Sequence, residues 1–335
     1  MENRYAICHY DEIGLKGKNR KFFEERLIQN IEKVLQSDLY KVKRISGRIL
    51  IILKEGCDEN HISKQLLNVF GIANFSFAVS CEQNIDIIRE KAVQILEAKS
   101  FQTFKIDCSR SNKEIALTSQ GVNEKVGEEV LQKLTKKVRL KDPDITLFIE
   151  LVEKYCFLFT EKIEGLRGLP VSVSGKAVSL ISGGIDSPVA SFYAMKRGIR
   201  LVFCHFHALP YVNKFSIDKV RDLVKILDKY QFDSKLYLVP FADIQKQILL
   251  HTKEKLRVVL YRRMMLRIAR EIAEKEKARV LVTGENVGQV ASQTLPNLSV
   301  IDKATDSLSL KPLITDSKIP IFPPFTANVL LHKIR

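Results

Sequence analysis

Residues 177–188 read Ala177-Val178-Ser179-Leu180-Ile181-Ser182-Gly183-Gly184-Ile185-Asp186-Ser187-Pro188. The spacing predicts a strand over 177–181, a tight turn, and a helix over 188–196. Downstream the pattern repeats, with strands over 201–205, 236–239 and 280–283 and helices over 217–230 and 254–277. A βαβα order of this kind predicts a doubly wound parallel sheet.

The turn carries the strongest chemical signal. Gly183 and Gly184 are expected to let the backbone bend sharply and approach a ligand. Ser187 is expected to cap the helix, with Pro188 in a tolerant first-turn position. Free amides at such a helix start attract anions, and the hydroxyls of Ser182 and Ser187 add donors. Asp186 disfavours a bare phosphate, so it reads as a magnesium ligand or an organiser of the loop. A plain, well-capped strand-to-helix turn is the competing reading. No Gly-Lys-Ser/Thr follows, so this is not a Walker loop. Strand, turn and helix together resemble the SGGxDS loop of ATP pyrophosphatases. That resemblance implies cleavage of ATP between the α and β phosphates and adenylation of a carbonyl oxygen.

Upstream, the elements are shorter. A strand over 5–10, a helix over 20–35 and a strand over 49–53 suit a small α+β unit. The helix rests on Phe23, Leu27, Ile31 and Val34 at three- and four-residue spacing. Helices are expected over 62–70 and 85–96, and strands over 75–79 and around Phe104, Ile106 and Cys108. Val122, Val126, Val130, Leu134 and Val138 recur every four residues, which predicts one continuous helical stripe. Two β-rich runs, 146–152 and 155–160, meet at Glu153-Lys154 as a hairpin. Gly165, Gly168, Pro170 and Gly175 then mark a linker. These features divide the chain into 1–60, 61–165, a linker at 166–175, and 176–335.

Composition narrows the class. At roughly 150 residues per domain, 335 residues suggest two or three domains. The chain is 45% hydrophobic, ordinary for a globular protein. No apolar run approaches the roughly 18 residues of a membrane span. The first ten residues lack the apolar core of a signal peptide. A cytoplasmic protein without membrane contact is expected. A net charge of +15 points to a polyanionic partner such as nucleic acid. The six cysteines form no CxxC pair, so no zinc or iron–sulfur site is expected. Cys108 and Cys156 read as strand fillers.

Further stretches narrow the resemblance. They are Glu12-Ile13-Gly14-Leu15-Lys16-Gly17-Lys18-Asn19-Arg20, Leu140-Lys141-Asp142-Pro143-Asp144-Ile145-Thr146 and Gly165-Leu166-Arg167-Gly168-Leu169-Pro170. His205-Phe206-His207, Arg262-Arg263-Met264-Met265, Val282-Thr283-Gly284-Glu285 and Gly288-Gln289-Val290-Ala291-Ser292-Gln293-Thr294 follow in order. Together they resemble the tRNA 4-thiouridine synthases, also called tRNA sulfurtransferases. The resemblance implies a ferredoxin-like N-terminal domain, a tRNA-binding THUMP domain and a PP-loop ATP pyrophosphatase domain. ATP with Mg2+ is the implied cofactor pair, and uridine 8 of tRNA the implied target. A cysteine desulfurase is the implied sulfur donor, a thiamine sulfur-carrier protein a second acceptor, and a homodimer the implied assembly.

Candidate site residues follow from these stretches. His205 and Phe206 end a strand at the carboxyl edge of the sheet, where ligands bind; by resemblance they touch adenosine. Leu180 and Ile181 line the nucleotide site by the same resemblance. Arg262 and Arg263 are candidates to offset charge on departing pyrophosphate, with a solvated helix face as the alternative. Gly284 permits close backbone approach, and Gln293 reads polar edges. Residues 253–279 carry ten Lys or Arg against four Glu, a net +6 that suits RNA or plain solvation. Lys16, Lys18 and Arg20, with Lys105, Arg110 and Lys113, are the other RNA-binding candidates. Past Leu313 the family pattern is expected to lapse, and with it the family's sulfur-transfer cysteine. Cys204 then becomes the nearest thiol for sulfur transfer, against the alternative of a buried strand cysteine. A tRNA-binding protein without turnover is the contrasting function.

Overall fold

The computed structural model describes residues 4–111, 118–211, 215–285, 293–303 and 330–334. It separates into two compact units, Met1–Gly168 and Leu169–Arg335.

The first unit opens with β1 (Arg4–His9), α1 (Arg20–Leu35), β2 (Leu39–Ile45), β3 (Arg48–Leu53), α2 (Glu59–Leu66) and β4 (Asn74–Cys81). This is a βαββαβ order. The sequence reading missed β2, because Tyr40, Lys41 and Lys43 interrupt its apolar side. α1 starts and ends where its periodicity predicts, and Leu27, Ile31 and Leu35 are buried. The boundary expected at residue 60 falls inside this βαββαβ unit, at the start of α2.

α3 (Ile85–Glu97), β5 (Thr103–Arg110), α4 (Ser119–Leu134), β6 (Lys137–Val138), β7 (Ile145–Val152), β8 (Tyr155–Phe159) and β9 (Ile163–Glu164) complete the unit. All nine strands lie in one sheet, ordered β2-β3-β1-β4-β8-β7-β5-β6, with β9 paired to β4. β4 joins the two halves: it is antiparallel to β1 on one side and to β8 on the other. The hairpin at Glu153-Lys154 forms as expected. The valine stripe does not run on to Val138. α4 stops at Leu134, Thr135 takes the left-handed φ of 45°, and Val138 lies exposed in β6.

A charged cluster crosses this sheet. Glu150 on β7 is buried and accepts from Arg48 on β3 and, at 2.9 Å, from His9 Nε2 on β1. Burial pushes its carboxyl up, but the hydrogen bonds and charges of His9 and Arg48 win and hold it below the usual range.

The second unit holds β10 (Lys176–Leu180), α5 (Asp186–Lys196), β11 (Arg200–His207), α6 (Phe215–Asp228), β12 (Ser234–Pro240), α7 (Ala242–His251), α8 (Glu254–Lys275), β13 (Val280–Val282), α9 (Leu295–Asp302) and β14 (Leu330–Ile334). The sheet order is β13-β10-β11-β12-β14. The first four strands are parallel, as expected, and β14 adds an antiparallel edge. α8 lays Leu266, Ile268, Ala269, Ile272 and Ala273 against Val178, Val202, Tyr237 and Val239. Burying each Leu, Ile or Val there contributes about 1.5–3 kcal/mol. Among the described residues, no helix is long and apolar enough to cross a membrane.

Candidate functional site

The strand order places a reversal at β10. From there the chain winds outward through β11 to β12 on one side, and returns to β13 on the other. Ligands of open α/β sheets bind at such a switch point, outside the carboxyl ends of the strands. The turn at residues 182–187 leaves β10 at that spot.

Its serines act differently from the sequence expectation. α5 begins at Asp186 with Ile185 as its N-cap, and no side chain caps it. Ser187, in the first turn, instead accepts from the Ser182 amide at 2.9 Å, and its hydroxyl lies 3.1 Å from that of Ser182. The Gly184 amide donates to Ser182 Oγ at 3.3 Å. The two hydroxyls lace the loop because a bend this tight leaves its amides beyond reach of strand partners. Gly183 and Gly184 are absent from the left-handed region. Their small size, rather than a special φ, is what the turn uses.

Gly284 proves more constrained. A Cβ there would lie 2.4 Å from Ser187 N and 2.7 Å from Asp186 C. The end of β13 therefore rests directly on the backbone of the loop. The close approach that Gly284 permits is to the start of α5.

A cavity of about 280 Å³ opens beside this junction. Leu180, Ser182, Asp186, Ser187, Arg262, Gly284 and Gln293, all singled out from the sequence, line it. Thr283 and Glu285 join them. Arg262 pairs with Glu285, and Thr283 Oγ1 donates to Glu285 at 3.4 Å. Burial lowers the Arg262 pKa from its ordinary value, and the Glu285 carboxylate meets its charge at the cavity wall. Gln293 Oε1 is buried with no partner among the described residues.

Other candidates lie around the cavity rather than on its wall. Ile181 is buried, and its carbonyl accepts from His205 Nδ1 at 3.0 Å. Burial lowers the His205 pKa from 6.5, more than this hydrogen bond restores. With Nδ1 donating, Nε2 of the neutral ring is an acceptor, and it has no partner among the described residues. Phe206 packs edge-on against Phe241, with centroids 5.5 Å apart.

Two candidates are corrected. Arg263 turns from the cavity and donates to the Val300 carbonyl at the end of α9. That carbonyl has no later helical amide to satisfy it. Cys204 is fully buried in the α8-facing core, and burial raises its thiol pKa steeply. A neutral thiol out of solvent is poorly placed to take up sulfur, and its position is that of the buried strand cysteine given as the alternative.

Sequence reasoning missed Lys219. It lies on α6, and its Cδ would stand 3.4 Å from a Cβ on Gly183. The exposed stem thus runs beside the turn at residue 183. No periodicity marks Lys219, because only the packing of α6 beside the turn puts it there.

The basic candidates have mixed surroundings. Lys16 sits over the Phe23 ring at 5.2 Å, while Lys18 and Arg20 are exposed. Lys105 pairs with Asp107 at 3.1 Å, which spends part of its charge locally. Arg110 is half-buried at the end of β5, and Lys113 lies outside the described residues. Residues 288–292 of the sequence motif also lie outside them.

Comparison with known proteins finds three family matches along the chain. The family described as thiamine biosynthesis protein (ThiI) matches residues 172–323, past the Leu313 limit expected from the sequence. A ThiI ferredoxin-like domain matches residues 5–76 and a THUMP domain residues 82–161. A probable tRNA sulfurtransferase of Bacillus pumilus is 41% identical over 322 residues, 95% of this chain and 80% of the relative. A similarly named protein of Natranaerobius thermophilus is 39% identical over 324 residues, 92% of this chain and 78% of its own. A crystal structure described as a 4-thiouridine synthetase–RNA complex with bound ATP superposes with a TM-score of 0.82 at 37% identity. It covers 91% of this chain and 80% of that one. PH1313 from Pyrococcus horikoshii shares the fold, with a TM-score of 0.68 at 23% identity over 89% of this chain and 91% of its own.

Proposed function

This chain belongs to the tRNA sulfurtransferase (ThiI) family, and we propose that it spends ATP at the turn of residues 182–187 to replace O4 of a tRNA uridine with sulfur. The convergence of seven sequence-selected residues on one cavity carries this reading. A relative was crystallised with both RNA and ATP, which supports it.

Uridine O4 is a poor leaving group. Its attack on the α-phosphorus transfers AMP to O4 and releases pyrophosphate. A sulfur nucleophile then adds at C4 and AMP departs. In this scheme Arg262 and Lys219 offset the charge that develops on pyrophosphate. The amides and hydroxyls of the turn hold the phosphates. The unpartnered acceptors His205 Nε2 and Gln293 Oε1 suit donors that adenosine offers, its exocyclic amine and ribose hydroxyls. Among the described residues no cluster of three His, Cys, Asp or Glu builds a metal site. Mg2+ instead fits as a companion of the phosphates, held by Asp186 and water. When bound it would screen phosphate charge.

Uridine 8 is the proposed target, and the basic candidates of the first unit are its proposed tRNA contacts. Because Cys204 is buried, sulfur is proposed to enter from outside that thiol, as sulfide or as the persulfide of a cysteine desulfurase. In the second case the terminal sulfur adds at C4, and a further thiol then attacks the carrier cysteine's sulfur, breaking the S–S bond and leaving a disulfide beside the freed 4-thiouridine. A thiamine sulfur-carrier protein is the proposed second acceptor. A cytoplasmic homodimer is the proposed working form. The test is to incubate unmodified tRNA, ATP, Mg2+ and sulfide with the protein, then measure AMP and 4-thiouridine. The reading expects both. AMP without 4-thiouridine would remove the sulfur step, and neither product would leave a tRNA-binding protein.

A further inference from the structure

Three of the six cysteines meet in the first unit. Cys81 ends β4 and Cys156 lies on β8, and the two are directly opposed in the antiparallel ladder. Each is the largest influence on the other's ionisation, lowering the pKa of Cys81 and raising that of Cys156. Cys156 and Cys108 are both buried in the core beneath α3 and α4, and Cys81 packs at its margin, half-buried. All six cysteines are thiols in this structure.

Opposed residues of an antiparallel pair have Cα atoms about 4.5–5.5 Å apart. A disulfide needs roughly 4.4–6.8 Å. The Cα spacing thus lies within the range a disulfide needs, and a small approach of the two Cβ atoms completes it. Cys108 is placed differently. It lies on β5, opposite Ile149 of β7, and β7 separates it from Cys156.

We propose that Cys81 and Cys156 form a reversible redox pair, oxidised to a cross-strand disulfide by low-molecular-weight disulfides. Cys81 attacks first. It is the more accessible thiol, and the hydrogen bond from Cys156 lowers its pKa against burial, with Lys91 adding a smaller effect in the same direction. Its thiolate displaces one thiolate from the small disulfide and leaves a mixed disulfide on Cys81. The Cys81 thiolate is the largest influence holding the buried Cys156 thiol protonated, ahead of burial. Once Cys81 is in the mixed disulfide that influence is gone, and Cys156, already beside it, gives up its proton and attacks the Cys81 sulfur, expelling the second small thiolate. The protein loses two electrons and two protons, and the small disulfide becomes two thiols. The bond ties β4, the strand shared by the two halves of the sheet, to β8 of the second half.

The experiment equilibrates the protein in glutathione buffers from fully reduced to fully oxidised, quenches with acid, alkylates in denaturant so that buried thiols react, and counts labels by mass spectrometry. Four labels and a Cys81–Cys156 cross-linked peptide are expected at the oxidised end, with six labels restored by dithiothreitol. Cys108→Ser should keep the cross-link, and Cys81→Ser should abolish it. Six labels throughout, a lasting glutathione adduct on Cys81 of the wild type, or a cross-link to Cys108 would overturn the proposal.

Discussion

Replacing Gly284 with alanine should damage the site more than any other single-methyl addition near the turn. The added Cβ would sit 2.4 Å from Ser187 N and 2.7 Å from both Asp186 C and Ser187 Cα. All three are backbone atoms that cannot swing aside. Ordinary contact begins near 3.4 Å, so the end of β13 and the start of α5 must part by about 1 Å. Overpacking of this sort costs about 1–3 kcal/mol of stability. A 1 Å displacement of catalytic groups costs roughly 100-fold in rate. Gly183→Ala provides the control for stability. Its Cβ would meet only the flexible Lys219 stem, at 3.4 Å. Urea unfolding should therefore show a loss for Gly284→Ala and little change for Gly183→Ala. The rate of tRNA-dependent AMP release should fall roughly 100-fold in folded Gly284→Ala. Wild-type stability and wild-type turnover in Gly284→Ala would refute the backbone contact and the positioning argument with it.

Four other outcomes are expected. Lys219→Met should weaken ATP binding by roughly 10–100-fold, the worth of one charge-assisted hydrogen bond, while leaving AMP binding unchanged in calorimetry. Arg48→Leu leaves the Glu150 carboxylate buried with His9 alone and should cost about 3–5 kcal/mol in denaturant unfolding; a loss below 1 kcal/mol would show that the cluster is idle. His205 has its folded pKa below the unfolded 6.5. Its contribution to stability is therefore full above that value and is lost as pH falls through it, because the unfolded chain then binds a proton that the native site refuses. His205→Gln should flatten that decline in thermal melts between pH 5 and 7. Cys204→Ala should keep 4-thiouridine formation from sulfide within a few-fold of wild type, since an inert core thiol carries no sulfur.

Local pattern was enough for much of the fold. The bounds of α1 follow from apolar spacing, and the alternating strands and helices after residue 176 foretold the parallel sheet. Both are short-range effects, in which a repeat of 3.6 or 2 residues decides which side faces the core. The position of the turn was equally legible, since glycines and serines between an apolar strand and a helix mark a tight bend. Patterning failed where its assumption of one continuous element failed. Val138 keeps the spacing of α4 yet falls beyond the left-handed Thr135. β2 hides behind its lysines, because strand pairing with β3 holds it rather than an apolar run.

Residue type and spacing alone determined that a Ser-Gly-Gly turn joins a strand to a helix in a doubly wound sheet, and which arginines and polar groups were candidates to serve it. Only the tertiary structure decided among them. It sent Arg262 to the cavity and its neighbour Arg263 to a helix end, buried Cys204, brought Lys219 over the turn, and set Cys81 against Cys156. The physical reason is distance along the chain. Which way a side chain points follows from its own backbone, but what it meets there is fixed by elements tens of residues away.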